Sequence, residues 1–265
     1  MQWRRIFCSR GFWFAIIIQI FAYLYGHMDT SDFWTAPLAF FAHADLLYFF
    51  LVSRICGLCI ILLPFVAVLP ASCMVAEDIQ SGYIRSLLQR TGVFKYYRTR
   101  MLQAITGSAV ASLSGSFLYF IFLMIASPWN DKIVISWREA MDMGSYASLA
   151  NTLYGFPVVF ETISRFCIEA MTWSLIGFSF SCWYKNTGLA LALTFMCHYG
   201  ITYILERFSN LYRFSPSFIA VPVLTTSSPL SFFYIMQFAY LGIALGIALI
   251  AAVNTSKTLT DQITC

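Results

Sequence analysis

Long apolar runs alternate with short polar connections along this chain, and the runs are long enough to be helices that cross a membrane. A crossing takes about 20 mostly apolar residues. Six spans follow: residues 12–26, 55–74, 101–126, 166–184, 188–205 and 231–253, with the ends of the first the least sharply defined. The most polar interval between spans reads VAEDIQSGYIRSLLQRTGVFKYYRTR, from Val75 to Arg100. Within it Ile79, Tyr83 and Leu87, then Ile84 and Leu88, recur at helical spacing, with Arg85 and Gln89 turned elsewhere. That period predicts a short amphipathic helix lying at the membrane surface. Asp78 is placed to cap its N-terminus, where free amide groups favour an anion. Gly92 breaks it, and Tyr96, Tyr97, Arg98 and Arg100 anchor the start of the next span.

Three longer connections lie on the other side: residues 26–54, 127–169 and 206–230. The first carries LLYFFLV just before Arg54, either an interfacial segment or an extension of span two. The third carries Pro216, Pro222 and Pro229 among apolar residues, too interrupted for a full crossing. Two short re-entrant or interfacial helices fit it, because unpaired backbone in a membrane is tolerated only where protein or water satisfies it.

Composition narrows the class. Hydrophobic residues make up 60% of the 265 and charged residues 11%, against about 25% charged in soluble domains. The fold class is therefore all-α, a polytopic membrane protein. A porin-like barrel would show short alternating segments in place of unbroken runs. The net charge of +4 is no nucleic-acid signal, since the cations sort by membrane side. Arg4, Arg5, Arg10, Arg85, Arg90, Lys95, Arg98, Arg100, Lys185 and Lys257 fall on one side of the six-span layout. Arg54, Lys132, Arg138, Arg165, Arg207 and Arg213 fall on the other. The positive-inside rule makes the first side cytoplasmic and puts both termini there. The basic N-terminus resembles a signal peptide, but no small-residue cleavage site follows, so it reads as a retained first span. None of the eight cysteines lies in a presumed external loop. Cys56 and Cys59 form a C-x-x-C, yet no second pair or histidine cluster completes a zinc site, and all eight read as reduced packing residues.

The order of features resembles the permease subunits of type-2 ATP-binding-cassette exporters. These have six spans, both termini inside and a first cytoplasmic loop of the form acid-x-acid-x-Gly-Thr, then Leu-Leu, then Thr-Pro-Val-Ser-Arg. Asp78 matches the first acid, Gly82 the glycine, and Leu87 and Leu88 the leucines; Thr91 and Val93 flank the turn and Lys95 takes the place of the arginine. Gln80, Tyr83, Gly92 and Phe94 depart from the pattern. The resemblance implies a single transmembrane domain with a coupling helix, in which Asp78, Ile79, Gly82, Tyr83, Arg85, Leu87 and Leu88 meet a nucleotide-binding subunit. It implies two such ATP-binding subunits and a second permease subunit, identical or related, in a cell membrane, the cytoplasmic membrane of a bacterium. ATP and magnesium would sit on the partner, and this chain would hold no cofactor and no metal. It has no G-x-x-x-x-G-K-[ST] phosphate loop, so the ATPase would be a separate chain. Trp3, Ile6 and Phe7 beside Arg4 and Arg5 resemble the interfacial helix such permeases place before span one. The aromatic-rich spans suit a hydrophobic or amphipathic cargo, such as a peptide, a lipid-linked molecule or a drug.

Polar residues near or within spans are the other candidates. Glu161, Arg165 and Glu169 recur every four residues, a ladder of alternating sign at the outer end of span four. It reads either as a structural stripe near the headgroups or as an external gate. His198, inside span five, reads as a neutral histidine bonded to a neighbouring helix or as an intramembrane polar site. Arg54 snorkels outward, and Gln19 and Gln237 are helix glue or cavity lining. Gly107, Ala111 and Gly115 in span three, and Gly242 and Gly246 in span six, mark close helix contacts. No nucleophile is matched to a base and no H-E-x-x-H occurs, so nothing assigns catalysis to the chain itself. The rival to an exporter is a channel that needs no ATPase, or an accessory membrane protein.

Overall fold

The computed structural model describes residues 2–25, 57–126, 156–208, 210–220 and 230–264. Among these residues every regular element is helical. They are α1 (Gln2–Phe7), α2 (Arg10–Tyr25), α3 (Gly57–Val68), α4 (Met74–Gln80), α5 (Tyr83–Thr91), α6 (Val93–Ala126), α7 (Phe156–Tyr184), α8 (Thr187–Arg207), α9 (Pro216–Ala220) and α10 (Leu230–Thr264), with a 3-10 turn at Tyr212–Phe214.

Among the described residues three helices are long and apolar enough to cross a membrane: Val93–Ala126, Thr187–Arg207 and the stretch Ser231–Lys257 within α10. Arg10–Tyr25 and Leu58–Val68 are apolar but shorter. The helix at the fourth predicted span, α7, is 29 residues long but falls outside that set, and it carries Glu161, Arg165 and Glu169. Its place in the bundle explains why. It packs on α3, α4, α6, α8, α9 and α10, so much of its surface meets protein in place of lipid. Thr172, Ser174, Ser179 and Ser181 are buried on it, where interhelical hydrogen bonds can serve them. Ser174 Oγ lies 2.9 Å from Ser72 Oγ, and Ser181 Oγ accepts the Ala76 amide at 2.9 Å.

Several predicted boundaries move. Span two stops as a helix at Val68, short of residue 74, and turns occupy 69–73 before α4 begins. Pro70 disfavours helical geometry at the residue before it. Span three starts at Val93, eight residues before Met101 as predicted, because Gly92 ends α5 at φ 76° and the chain re-enters a helix at once. The helix of span four begins at Phe156, inside the predicted external segment, and carries Glu161, Arg165 and Glu169 within it. Span six runs on to Thr264. The proline-broken connection holds the 3-10 turn and α9; Pro222 and Pro229 lie outside the described residues, as do LLYFFLV, Arg54 and Cys56.

The two glycine stripes differ. A Cβ at Gly107 would meet Ile6 Cγ2 and Ala71 Cβ at 3.2 Å, and one at Gly115 would meet Gln19 Oε1 at 2.6 Å. Around Gly242 and Gly246 nothing lies within 4 Å of that position, so the second stripe makes no close helix contact within the described chain. Gln19 cannot retreat easily: its Nε2 is 2.9 Å from Tyr23 Oη, 3.0 Å from Ser112 O and 2.8 Å from Ser116 Oγ, all buried. Gly115→Ala is therefore expected to lower stability by about 1–3 kcal/mol, the range for overpacking a tight contact. Gly242→Ala should stay within about 0.5 kcal/mol of the wild type. Thermal unfolding of the detergent-solubilised protein separates them, and equal midpoints would refute the difference.

Candidate functional site

Helix α4 begins without a side-chain cap after Cys73, and α5 begins without one after Gly82. Asp78 caps neither. It lies inside α4, fully buried, and its carboxylate joins three elements. Oδ1 accepts from Arg5 Nη1 of α1 at 2.8 Å. Oδ2 accepts from Arg100 Nη2 at 2.6 Å and from Tyr96 Oη at 2.7 Å, both on α6. Arg100 is itself buried, donates from Nη1 to Gln103 Oε1 at 2.8 Å, and lies 5.4 Å from the centre of the Tyr96 ring. A buried carboxylate with charged and neutral donors on both oxygens is the arrangement that offsets the desolvation of such a group. Arg5 is half exposed and also stands 3.7 Å from Glu77. Its partial burial opposes its charge, but the hydrogen bond and charge of Asp78 prevail and raise its pKa. Burial pushes the Glu77 carboxyl up, against the opposing pull of Arg5.

The amphipathic helix occupies α5, starting at Tyr83, whereas Ile79 belongs to α4. Gly82 joins the two at φ 70°, a left-handed turn that glycine adopts without strain. Ile84, Leu87 and Leu88 are buried. They share one apolar cluster with Val75 of α4, Tyr97 and Met101 of α6, Leu175 and Phe178 of α7, and Ala244, Ala248 and Ala251 of α10. Tyr83 is half exposed and so departs from the predicted apolar face. The Arg85 side chain lies outside the described set. Ser86 and Arg90 are exposed on α5, and Phe94, at the start of α6, is 75% exposed.

The Glu161–Arg165–Glu169 stripe is buried in the bundle, and it is not the self-contained ladder its spacing predicts. Arg165 Nη1 is 3.6 Å from Glu161 Oε1. Arg165 Nη2 also donates to the Ile219 carbonyl of α9, and the guanidinium lies 4.6 Å from the centre of the Phe233 ring of α10. Gln237 Nε2 donates to the Arg165 carbonyl at 3.1 Å. Glu169 takes its hydrogen bond from Trp173 Nε1, at 2.7 Å, in place of Arg165. His198 packs edge-on against Trp173 with centroids 4.7 Å apart, and neither ring nitrogen has a hydrogen-bond partner, contrary to the expected bond to a neighbouring helix.

Arg5, Tyr96 and Arg100 were invisible as partners of Asp78 in the sequence, because they lie on two other elements, α1 and α6, and no period along one helix links them to α4. The one hint was an acidic pair, Glu77 and Asp78, next to the densest cations. No group of three or more histidine, cysteine, aspartate or glutamate side chains fit to hold a metal ion occurs among the described residues.

Long apolar helices around a polar central one, with ion pairs sealed between them, define a helical membrane protein. Comparison with protein-family models, curated proteins and solved structures finds no match.

Proposed function

We propose that this chain is the membrane-spanning permease subunit of an ATP-driven exporter of the type-2 ATP-binding-cassette class. It would cross the membrane six times with both termini in the cytoplasm and work as a dimer with two separate ATP-binding subunits. Its cargo would be hydrophobic or amphipathic. The observation that carries the reading is the seating of α5. A short surface helix with a polar outer face has its inner residues, Ile84, Leu87 and Leu88, in one cluster with three long helices. A push on α5 would reach α6, α7 and α10 together, because close-packed side chains transmit displacement poorly absorbed by voids. The Asp78 clamp supports the same role, since it fixes α4 to α1 and α6 just ahead of the handle.

In this mechanism ATP binding closes the two motor subunits, α5 moves with them, and the long helices tilt to release cargo outward. The chain's own residues perform no covalent step. The test is co-purification with a nucleotide-binding subunit encoded beside it. Tyr83→Ala with Arg90→Glu, both on the exposed face, is expected to abolish co-purification while leaving thermal stability unchanged. Retained capture, or no ATPase partner at all, would turn the reading towards a channel or accessory protein.

A further inference from the structure

A cavity of about 310 Å³ lies between α7, α8 and α10. Its wall is apolar and aromatic: Trp173, Phe180, Trp183 and Tyr240 line it with aliphatic neighbours such as Ile176 and Ile243, and among the described residues no charged side chain does. Trp183 is 43% exposed, so the wall continues to the bundle surface.

Behind the Trp173 wall stands a buried acidic side chain with one oxygen unpartnered. Trp173 Nε1 donates to Glu169 Oε1 at 2.7 Å, while Glu169 Oε2 is buried with no hydrogen-bond partner. Arg165, one turn away, is engaged by Glu161 and the Ile219 carbonyl. Glu169 Oε2 is left without a donor for the negative charge that the carboxylate carries when ionised. The groups that α8 and α10 bring to the same place do not cancel it: His198 packs on Trp173 with no acid bonded to it, and Tyr240 Oη donates to the Phe214 carbonyl at 2.6 Å. A charge sealed from water attracts a counter-charge strongly. An indole whose N–H is bonded to a carboxylate carries extra electron density on its ring, and that ring attracts cations.

We propose that this cavity binds a hydrophobic organic cation, its charged centre against Trp173 with Glu169 behind and its apolar groups against the aliphatic wall. As a cargo site it deepens the exporter reading, on which that role rests, but binding itself needs no nucleotide-binding subunit.

The test uses the full-length chain in nanodiscs of neutral phosphatidylcholine, which do not draw cations on their own account. Equilibrium dialysis compares phenyltrimethylammonium with tert-butylbenzene, which has the same shape and no charge, after subtracting uptake by empty nanodiscs. The cation is expected to bind saturably and at least tenfold tighter than the neutral compound. Glu169→Gln, which keeps an acceptor for the indole, should erase that preference and leave the neutral affinity as it was. Trp183→Leu, at the bundle surface, should weaken cation binding at least threefold. Equal affinity for the two compounds, absent saturation, or an intact preference in a folded Glu169→Gln variant would each overturn the site. Should Glu169→Gln fail to fold, the wild-type preference decides alone: tenfold or more sustains the site and equal binding removes it. Lost ATPase capture with the preference intact removes only the exporter reading, and the converse removes only this one.

Discussion

Replacing Asp78 with alanine is expected to destabilise the protein by about 3–5 kcal/mol, the range for breaking a buried ion pair from one side. The reason is what remains. Arg100 stays buried with Gln103 as its polar partner but with no negative charge, and Tyr96 loses the acceptor of its hydroxyl proton. Asp78→Asn should recover little, because an amide carries no charge to set against Arg5 and Arg100. Arg5→Ala should cost far less, since that side chain is 41% exposed and an exposed ion pair contributes about 0–1 kcal/mol. Arg100→Met should fall between, as Asp78 keeps both Arg5 and Tyr96. Pairing Asp78→Ala with Arg100→Met should be milder than Asp78→Ala alone, because both ends of the pair are gone. Denaturant titration in mixed micelles reads all five variants. If Asp78→Ala and Arg5→Ala lower stability equally, the clamp is not the anchor described.

The second large effect is expected at Arg165. Arg165→Leu takes from Glu161 the guanidinium 3.6 Å away on the same buried helix face, and strips the Ile219 carbonyl and the Phe233 ring of the group beside them. A loss of about 3–5 kcal/mol follows from the same one-sided rupture. Arg165→Lys should rescue only part. An ammonium keeps the charge, but one compact head cannot reproduce the planar fork that serves a carboxylate and a carbonyl at once. Removing the partner with the cation, as Glu161→Gln with Arg165→Met, should be less harmful than Arg165→Leu. The same titration measures it, and a double variant worse than the single one would refute the pairing.

The fold class was legible because it depends on totals. Apolar runs too long for a soluble core, with few charges, admit a helical solution in a membrane. Helices at each of the six predicted places follow from that rule, though 57–68 and 156–184 differ from the expected ends. Gly92 as a helix break was equally local, since a glycine at positive φ needs no tertiary partner. The charged stripe on α7 was visible as a period of four, but its period pointed to neighbours within the helix. The actual neighbours of Arg165 include α9 and α10, and that of Glu169 is Trp173.

What the sequence alone determined is which stretches leave water and which stay at its edge, because transfer free energy is a property of composition summed along a helix. The tertiary structure decided where each lone charge finds its counterpart. Asp78 looked like a helix cap and is a buried tie among α1, α4 and α6; His198 looked like a bonded histidine and packs against an indole. Pairing across helices depends on their rotation and depth, which side-chain packing fixes only when the bundle closes, and no spacing along one chain encodes it.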